Sequence, residues 1–137
     1  MPNLKSVAKL KKELDSIFSL YIRYRDGFKR NGLWYSQCIT CGVIKPIKQG
    51  MQCGHFMSRV HNSTRYDEEN CNAQCVGCNM FHGGEQYKYS IMVDKKYGKG
   101  TAEKLSIKCR ELKQYKGWEL IELIEKYKAK VKEYESR

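Results

Sequence analysis

Four cysteines arranged in two short pairs are the residues of this sequence best suited to hold a metal ion. Cys38 and Cys41 form one Cys-x-x-Cys pair, and Cys75 and Cys78 form the other. Each such turn presents two sulfurs at one edge of a tetrahedral site, and Zn2+ prefers four ligands of this kind. The two pairs therefore predict a structural zinc site. With four thiolates it has no open coordination position, so by itself it performs no chemistry.

Any catalytic residues must therefore be other side chains, and the first candidates lie between the two pairs or directly after them. His55 and Asn70 lie between them, and Asn79 directly follows the second pair. This order resembles the HNH, or ββα-metal, nuclease motif, in which a histidine, an asparagine and a final His or Asn surround one divalent ion. Three stretches are also similar to the phage NinG/Rap recombination proteins, and the close resemblance spans about residues 33–97. They are CGHFMSR (53–59), TRYDEEN (64–70) and QCVGCN (74–79).

The resemblance implies an α+β fold: a small, zinc-braced ββα-metal core flanked by N-terminal and C-terminal helices. It implies a metal-dependent DNA endonuclease that cuts branched recombination intermediates such as Holliday junctions and D-loops. It also implies a phage or prophage protein that acts in the cytoplasm of a bacterial host. Two other interpretations remain open at this point: a non-catalytic zinc-ribbon DNA-binding module, and a nonspecific or nicking HNH nuclease.

Phosphodiester hydrolysis needs a base to deprotonate water, and a neutral imidazole serves near physiological pH. His55 is therefore the expected general base. The reaction also needs a cation for the charge that builds on the phosphate, and Mg2+ or Mn2+ suits oxygen ligands. Asn79 can offer its amide oxygen to that ion, and Asn70 is expected to orient the loop that carries the histidine. The zinc would then fix the position of Asn79.

Position 54 departs from the motif. Many HNH enzymes place a metal-binding Asp or His directly before the base, whereas this sequence has Gly54. A helical turn from Asn79 to His82 would put both on one side, so His82 is the first choice for the second ligand of the catalytic ion. The alternative is a surface histidine. The other candidates for this ligand are Gln52, Cys53 and Asp67.

The charge of the chain indicates a polyanionic partner. Its 137 residues carry a net charge of +11, which attracts nucleic acid through the summed field. Arg59 and Arg65 are expected to clamp phosphates near the site, although Arg65 is equally suited to pairing with neighbouring carboxylates at 67–69. More distant phosphates would be contacted by lysines of the N-terminal helix and of a later cluster, namely Lys9, Lys12, Lys95 and Lys96.

Length and patterning predict a single domain over 1–137. It divides into a basic N-terminal helix (1–30), the zinc-knuckle core (33–83) and a helical C-terminal part (84–137). Helices are predicted over 4–25, 70–82, 85–98, 101–117 and 118–137. Thr101 is the predicted capping residue of the fourth of these helices. A small hairpin is predicted within 31–50. The pair Gly83 and Gly84 would end the 70–82 helix.

The chain is expected to be intracellular and not bound to a membrane, because it has no long apolar run and no signal peptide. Of the remaining thiols, Cys53 is interpreted as a partly buried thiol or a stray metal contact, and Cys71 and Cys109 are expected to be core residues and not ligands. Since a two-fold junction is most simply cut by a two-fold enzyme, a homodimer through the outer helices is expected.

Overall fold

The structure, a computed structural model, describes residues 5–137. Its helices are α1 (Val7–Arg25), α2 (Asn62–Arg65), α3 (Gln86–Tyr97), α4 (Thr101–Lys108) and α5 (Gly117–Glu135), with a π-helical turn at Gly77–Phe81. Its strands are β1 (Gly27–Arg30), β2 (Leu33–Gln37), β3 (Ile44–Pro46), β4 (Met51–His55) and β5 (Cys71–Cys75). The prediction of a mixed α+β chain is confirmed.

The two long helices, α1 and α5, pack against each other along their apolar faces. Leu14 and Ile22 of α1 and Leu120 of α5 are completely buried, as a helical period of apolar residues requires. α1 begins after Ser6, whose hydroxyl accepts a hydrogen bond from the Lys9 backbone N–H at 3.2 Å. Both helices were predicted; the first residue predicted for α1, Leu4, lies outside the described residues.

Two small antiparallel sheets lie beside this helical pair. One has the order β1-β2-β3 and the other pairs β4 with β5. The turn between β1 and β2 is made by Asn31 and Gly32, which both have positive φ (53° and 78°), as tight hairpin turns need. The hairpin predicted within 31–50 therefore exists as β2 and β3, with an additional strand, β1, contributed by residues that were expected to belong to the N-terminal helix.

The helix predicted over 70–82 is wrong for its first half. Residues 71–75 form β5, in register with β4 so that His55 lies opposite Cys71. All five residues of β5 are buried, because the strand is covered on both faces. It therefore lacks the alternation of apolar and polar residues that identifies a strand in a sequence. The chain then makes the π-helical turn, and Gly83 and Gly84, with φ of 61° and 84°, end it as predicted.

The C-terminal part is helical, as predicted, with one helix shorter than expected. α4 ends at Lys108 and the chain then runs without regular structure to α5. Thr101 does not cap α4: it is the first helical residue, after Gly100, and its hydroxyl donates to the Gly98 carbonyl oxygen at 2.7 Å. Among the helices described for 5–137, none has the length and apolar character that spanning a membrane demands.

Candidate functional site

The four predicted thiols come together between the two sheets. Cys38 and Cys41 lie in the loop after β2, and Cys75 and Cys78 lie at the end of β5 and in the π-helical turn; their sulfurs all lie within 4.8 Å of one another. The Sγ atoms of Cys41 and Cys75 are 3.7 Å apart. Ligands about 2.3 Å from a tetrahedral Zn2+ are about 3.8 Å apart. The cluster fits a metal such as zinc.

Local hydrogen bonds favour the thiolate form within this cluster. The backbone N–H of Cys41 lies 3.5 Å from Cys38 Sγ, and the Thr40 hydroxyl lies 3.2 Å from the same sulfur. Burial of the Cys38 thiol opposes ionisation, but these donors outweigh it and lower its pKa to about 6. Thr40 is in turn held by the Gln74 amide, which donates to its hydroxyl at 3.3 Å.

His55 and Asn79 line a common open cavity of about 590 Å³. α1, β4 and the π-helical turn all contribute to its lining. Its polar lining also includes Asp15, Ser19, Gln52, Cys53, Ser58, Arg59 and Gln86. Two of the three residues predicted to be catalytic thus share one concave site, although they are 24 positions apart in the chain.

The hydrogen bonding of His55 fixes which ring nitrogen can act as a base. Its Nε2 lies 2.9 Å from the backbone carbonyl oxygen of Arg65. A carbonyl only accepts, so Nε2 carries the proton and Nδ1 carries the free lone pair. Burial lowers the pKa of His55 to about 4. The ring is therefore neutral near pH 7.

Asn70 lies outside this cavity and organises the loop between β4 and β5. It is completely buried. Its Oδ1 accepts from the Met57 backbone N–H at 2.7 Å, and its Nδ2 donates to the carbonyl oxygens of Met57 and Thr64, both at 3.0 Å. The same loop supplies the Arg65 carbonyl that orients His55. The contacts of Asn70 therefore match the orienting role expected from the sequence.

Asn79 lines the cavity, whereas His82, the predicted second ligand, does not. Asn79 Nδ2 donates to Gln52 Oε1 at 2.7 Å, which leaves Oδ1 as the available acceptor. His82 is exposed and absent from the cavity lining. The segment was expected to be α-helical, whereas the His82 N–H bonds five residues back, to the Gly77 carbonyl. This wider turn takes His82 off the Asn79 side.

The other candidate ligands divide in the same way. Gln52 and Cys53 line the cavity; Asp67 does not, and its carboxylate instead bonds Lys108 and the Glu69 backbone N–H. Gly54 has a steric explanation. A Cβ atom at this position would lie 2.2 Å from Gln74 Oε1, so the buried Gln74 side chain occupies the space that a metal-binding side chain would need.

Asp15 of α1 is a site residue that the sequence did not reveal. It is the only carboxylate among the described residues that line the cavity. Arg65 binds both of its oxygens, at 3.0 and 2.5 Å, and the Tyr66 hydroxyl donates to Oδ1 at 2.8 Å. Asp15 belongs to no motif and lies 40 positions before His55. Only the packing of α1 on β4 brings them together.

A family comparison covers nearly the whole chain. The model of the bacteriophage lambda NinG protein family matches residues 2–136. The chain belongs to the NinG family. No curated protein and no solved structure matches it. The resemblance to NinG proteins drawn from the motifs is thereby confirmed, and it extends beyond the expected 33–97.

The arginines predicted to bind phosphate differ in how they are placed in this NinG-family chain. Arg59 is exposed at the cavity rim, 4.0 Å from Asp15. Arg65 is held by Asp15 and by the Arg59 carbonyl oxygen, to which it donates at 3.0 Å. Its carboxylate partner is thus Asp15 of α1, and not one of the acidic residues expected within 67–69.

Of the lysines predicted to bind phosphate, three are exposed to solvent and one is hydrogen-bonded within the protein. Lys9 and Lys12 on α1 and Lys95 on α3 are exposed. Lys96 instead donates to Asp26 Oδ1 at 2.8 Å and to Asn72 Oδ1 at 2.7 Å. Lys96 therefore stabilises the attachment of α3, a role that the run of lysines in this part of the NinG-family sequence did not indicate.

Proposed function

We propose that this chain is a metal-dependent DNA endonuclease of the HNH, or ββα-metal, type. One observation carries the proposal: a neutral His55 with a free Nδ1 and Asn79 with a free amide oxygen line one cavity with Arg59 at its rim. In this interpretation β4, β5 and the π-helical turn correspond to the ββα unit. The NinG family and the net charge of +11 support a DNA substrate.

In the proposed reaction His55 Nδ1 accepts a proton from the attacking water. The proton on Nε2 stays there and is donated in a hydrogen bond to the Arg65 carbonyl oxygen, which holds the ring in the required tautomer. Asn79 Oδ1 would hold Mg2+ or Mn2+, with Gln52 and Asp15 as further oxygen donors in the lining. When bound, such an ion supplies positive charge for the scissile phosphate and the leaving oxygen. Arg59 would position the neighbouring phosphate.

The zinc site would act as a scaffold in this scheme. Cys75 and Cys78 bracket the start of the π-helical turn, and Asn79 follows directly. An ion bound by the four thiols would fix the backbone on which Asn79 stands, as supporting interactions do at other metal sites.

Branched DNA, such as Holliday junctions or D-loops, is the proposed substrate, and the proposed enzyme is a homodimer acting in the cytoplasm of the phage-infected bacterial host. These finer points rest on the NinG/Rap resemblance and on the two-fold symmetry of a junction.

One observation favours a different function. The only carboxylate in the described cavity lining, Asp15, is already bound by Arg65 through both oxygens. A site whose acid is neutralised in this way suits a zinc-braced DNA-binding module without catalysis, which is the second candidate.

The deciding experiment compares cleavage of supercoiled plasmid, a four-way junction and linear duplex with Mg2+ or Mn2+. His55→Ala and Asn79→Ala are expected to lower the rate by about 100-fold or more. His82→Ala is the matched control, because His82 is exposed and off the cavity, and it should cut like the parent. Unchanged cutting by His55→Ala would remove the proposed base. Binding without cutting by the parent under every metal condition would favour the module.

Structure selectivity is tested with the same substrates at rising salt. A selective enzyme should retain a faster rate on the junction, whereas equal rates on junction and linear duplex throughout would indicate a nonspecific or nicking nuclease. Lys9→Gln with Lys12→Gln should weaken binding to all substrates and make the salt dependence of binding less steep.

A further inference from the structure

A second group of metal-binding side chains lies on the β4–β5 hairpin, apart from the four-thiol cluster. The Sγ atoms of Cys53 and Cys71 and one imidazole nitrogen of His55 lie within 4.8 Å of one another. The register explains this proximity. His55 lies directly opposite Cys71, and Cys53 is two residues before His55, so all three side chains project from one face of the hairpin.

Two of these groups contact the same backbone oxygen. His55 Nε2 and Cys71 Sγ both lie within hydrogen-bond distance of the Arg65 carbonyl oxygen, at 2.9 and 3.5 Å. Cys71 is completely buried, whereas Cys53 and His55 are half-buried and line the cavity. Both thiols are free. The donors therefore sit at the boundary between a dry core and an open cavity, a setting in which an ion would be enclosed on one side and reachable from the other.

We propose that Cys53, His55 and Cys71 form a second metal site, selective for a thiophilic divalent ion such as Zn2+. Two sulfurs and one imidazole match the three protein ligands of open zinc sites, in which the fourth position takes water. Here the fourth position would face the cavity. Binding replaces the protons of the two thiols by the ion and releases both protons to solvent. A tetrahedral ion needs donors about 3.5 to 3.8 Å apart, and the three donors lie within 4.8 Å of one another, so no pair has to approach by more than about 1.3 Å.

The site has a consequence for activity that rests on the proposed function. An ion held by His55 engages the ring that would serve as the base, so excess Zn2+ would inhibit DNA cleavage by Mg2+ or Mn2+. Hard oxygen-seeking ions would not compete well for two thiolates. The chain would then bind one zinc that stabilises the fold and a second that inhibits cleavage.

Metal binding is tested without any nuclease assay. Protein loaded with one equivalent of Zn2+ is titrated with Co2+, while thiolate-to-cobalt absorption is recorded and bound metal is counted by elemental analysis. We expect a second equivalent per chain. It should be lost in Cys53→Ala, and its affinity should fall about 10-fold to 100-fold in His55→Ala. Cys109→Ser is the control, because this thiol lies at the end of α4 outside the cluster, and it should retain the second equivalent.

Cys71 is fully buried, so metal binding by Cys71→Ser is interpreted only if its thermal unfolding resembles that of the parent. If it does not, the decision rests on Cys53→Ala, because Cys53 is half-buried. Binding of one equivalent only, or of a second equivalent that persists in Cys53→Ala, would overturn the site. The two proposals fail separately. If cobalt binds as expected but the parent cuts no DNA under any metal condition, the nuclease proposal is wrong and the metal site stands.

Discussion

His55 is held neutral by its surroundings, and this has a measurable effect on stability. Burial lowers its pKa from 6.5 to about 4 in the folded chain. Between these values the unfolded chain binds a proton that the folded chain does not, so the free energy of unfolding falls as the pH falls from 6.5 to 4. The shift corresponds to a loss of up to about 3 kcal/mol. Glutamine does not titrate, so the His55→Gln variant should not show this part of the loss. Urea unfolding of both proteins between pH 6.5 and 4 measures the difference.

Other groups also titrate in acid, so the comparison is the difference between parent and variant at each pH. His82→Gln serves as the control, since His82 is exposed, and its acid profile should follow that of the parent. Parallel curves for the parent and His55→Gln would show that the imidazole is not buried in solution as it is here.

Gly54 gives a second prediction at the scale of single residues. Its replacement by Ala puts a methyl group 2.2 Å from Gln74 Oε1, a contact that requires displacement of a fully buried side chain. Overpacking of this kind costs about 1 to 3 kcal/mol. Gln74→Ala in the same chain removes the contacts with Oε1 and Cδ and leaves the one with Cβ at 2.8 Å, so Gly54→Ala should cost less in that background than in the parent. Denaturant unfolding of the four proteins measures the coupling, and additive effects would contradict the steric explanation.

The residues of the site differ in how far the sequence could predict them. The four zinc-site thiols were predictable because Cys-x-x-Cys spacing is a local property that survives whatever fold surrounds it. Asp15, Arg65 and Lys96 were not predictable. Asp15 and Arg65 bind each other across 50 positions of the chain, and Lys96 binds Asp26 across 70. Nothing in the lysine run 95–96 shows which lysine faces Asp26.

At the scale of elements, the apolar interface between α1 and α5 should be a large source of the free energy of unfolding. Leu14 is completely buried in it, whereas Leu112, before α5, is fully exposed. Leu14→Ala is therefore expected to lower the free energy of unfolding by about 2 to 5 kcal/mol. The chemically identical Leu112→Ala should change it by less than about 0.5 kcal/mol. Urea or thermal unfolding measures both, and similar losses for the two would mean that α1 does not pack as described.

The same elements show why some parts of the fold were predicted and others were not. α1 and α5 repeat apolar residues with the helical period, and Gly83 and Gly84 interrupt the chain where backbone geometry demands it. β5 has all its residues buried, so it offered no alternation and was mistaken for the start of a helix. The π-helical turn has no sequence signature, and missing it led directly to the wrong placement of His82.

At the scale of the whole molecule, the four-thiol cluster joins two sheets that share no strand. Cys38 and Cys41 follow β2 of the first sheet, while Cys75 ends β5 of the second. The buried residues around the thiols, Met51 and Ala73, form a cluster separate from the larger core of α1 and α5. An ion at this place would therefore stabilise the centre of the chain much more than the helical pair.

Removal of the metal should accordingly unfold the molecule unevenly. A structural zinc contributes about 10 to 16 kcal/mol of apparent binding energy, more than the small apolar cluster around it can replace. On treatment with a strong chelator, amide hydrogen exchange should speed up first in 38–41, 51–55 and 71–78, while the buried faces of α1 and α5 keep more protection. Cys41→Ser should show the same pattern without chelator, and Cys109→Ser should not. Uniform loss of protection, or none, would show that the two cores are not separable in this way.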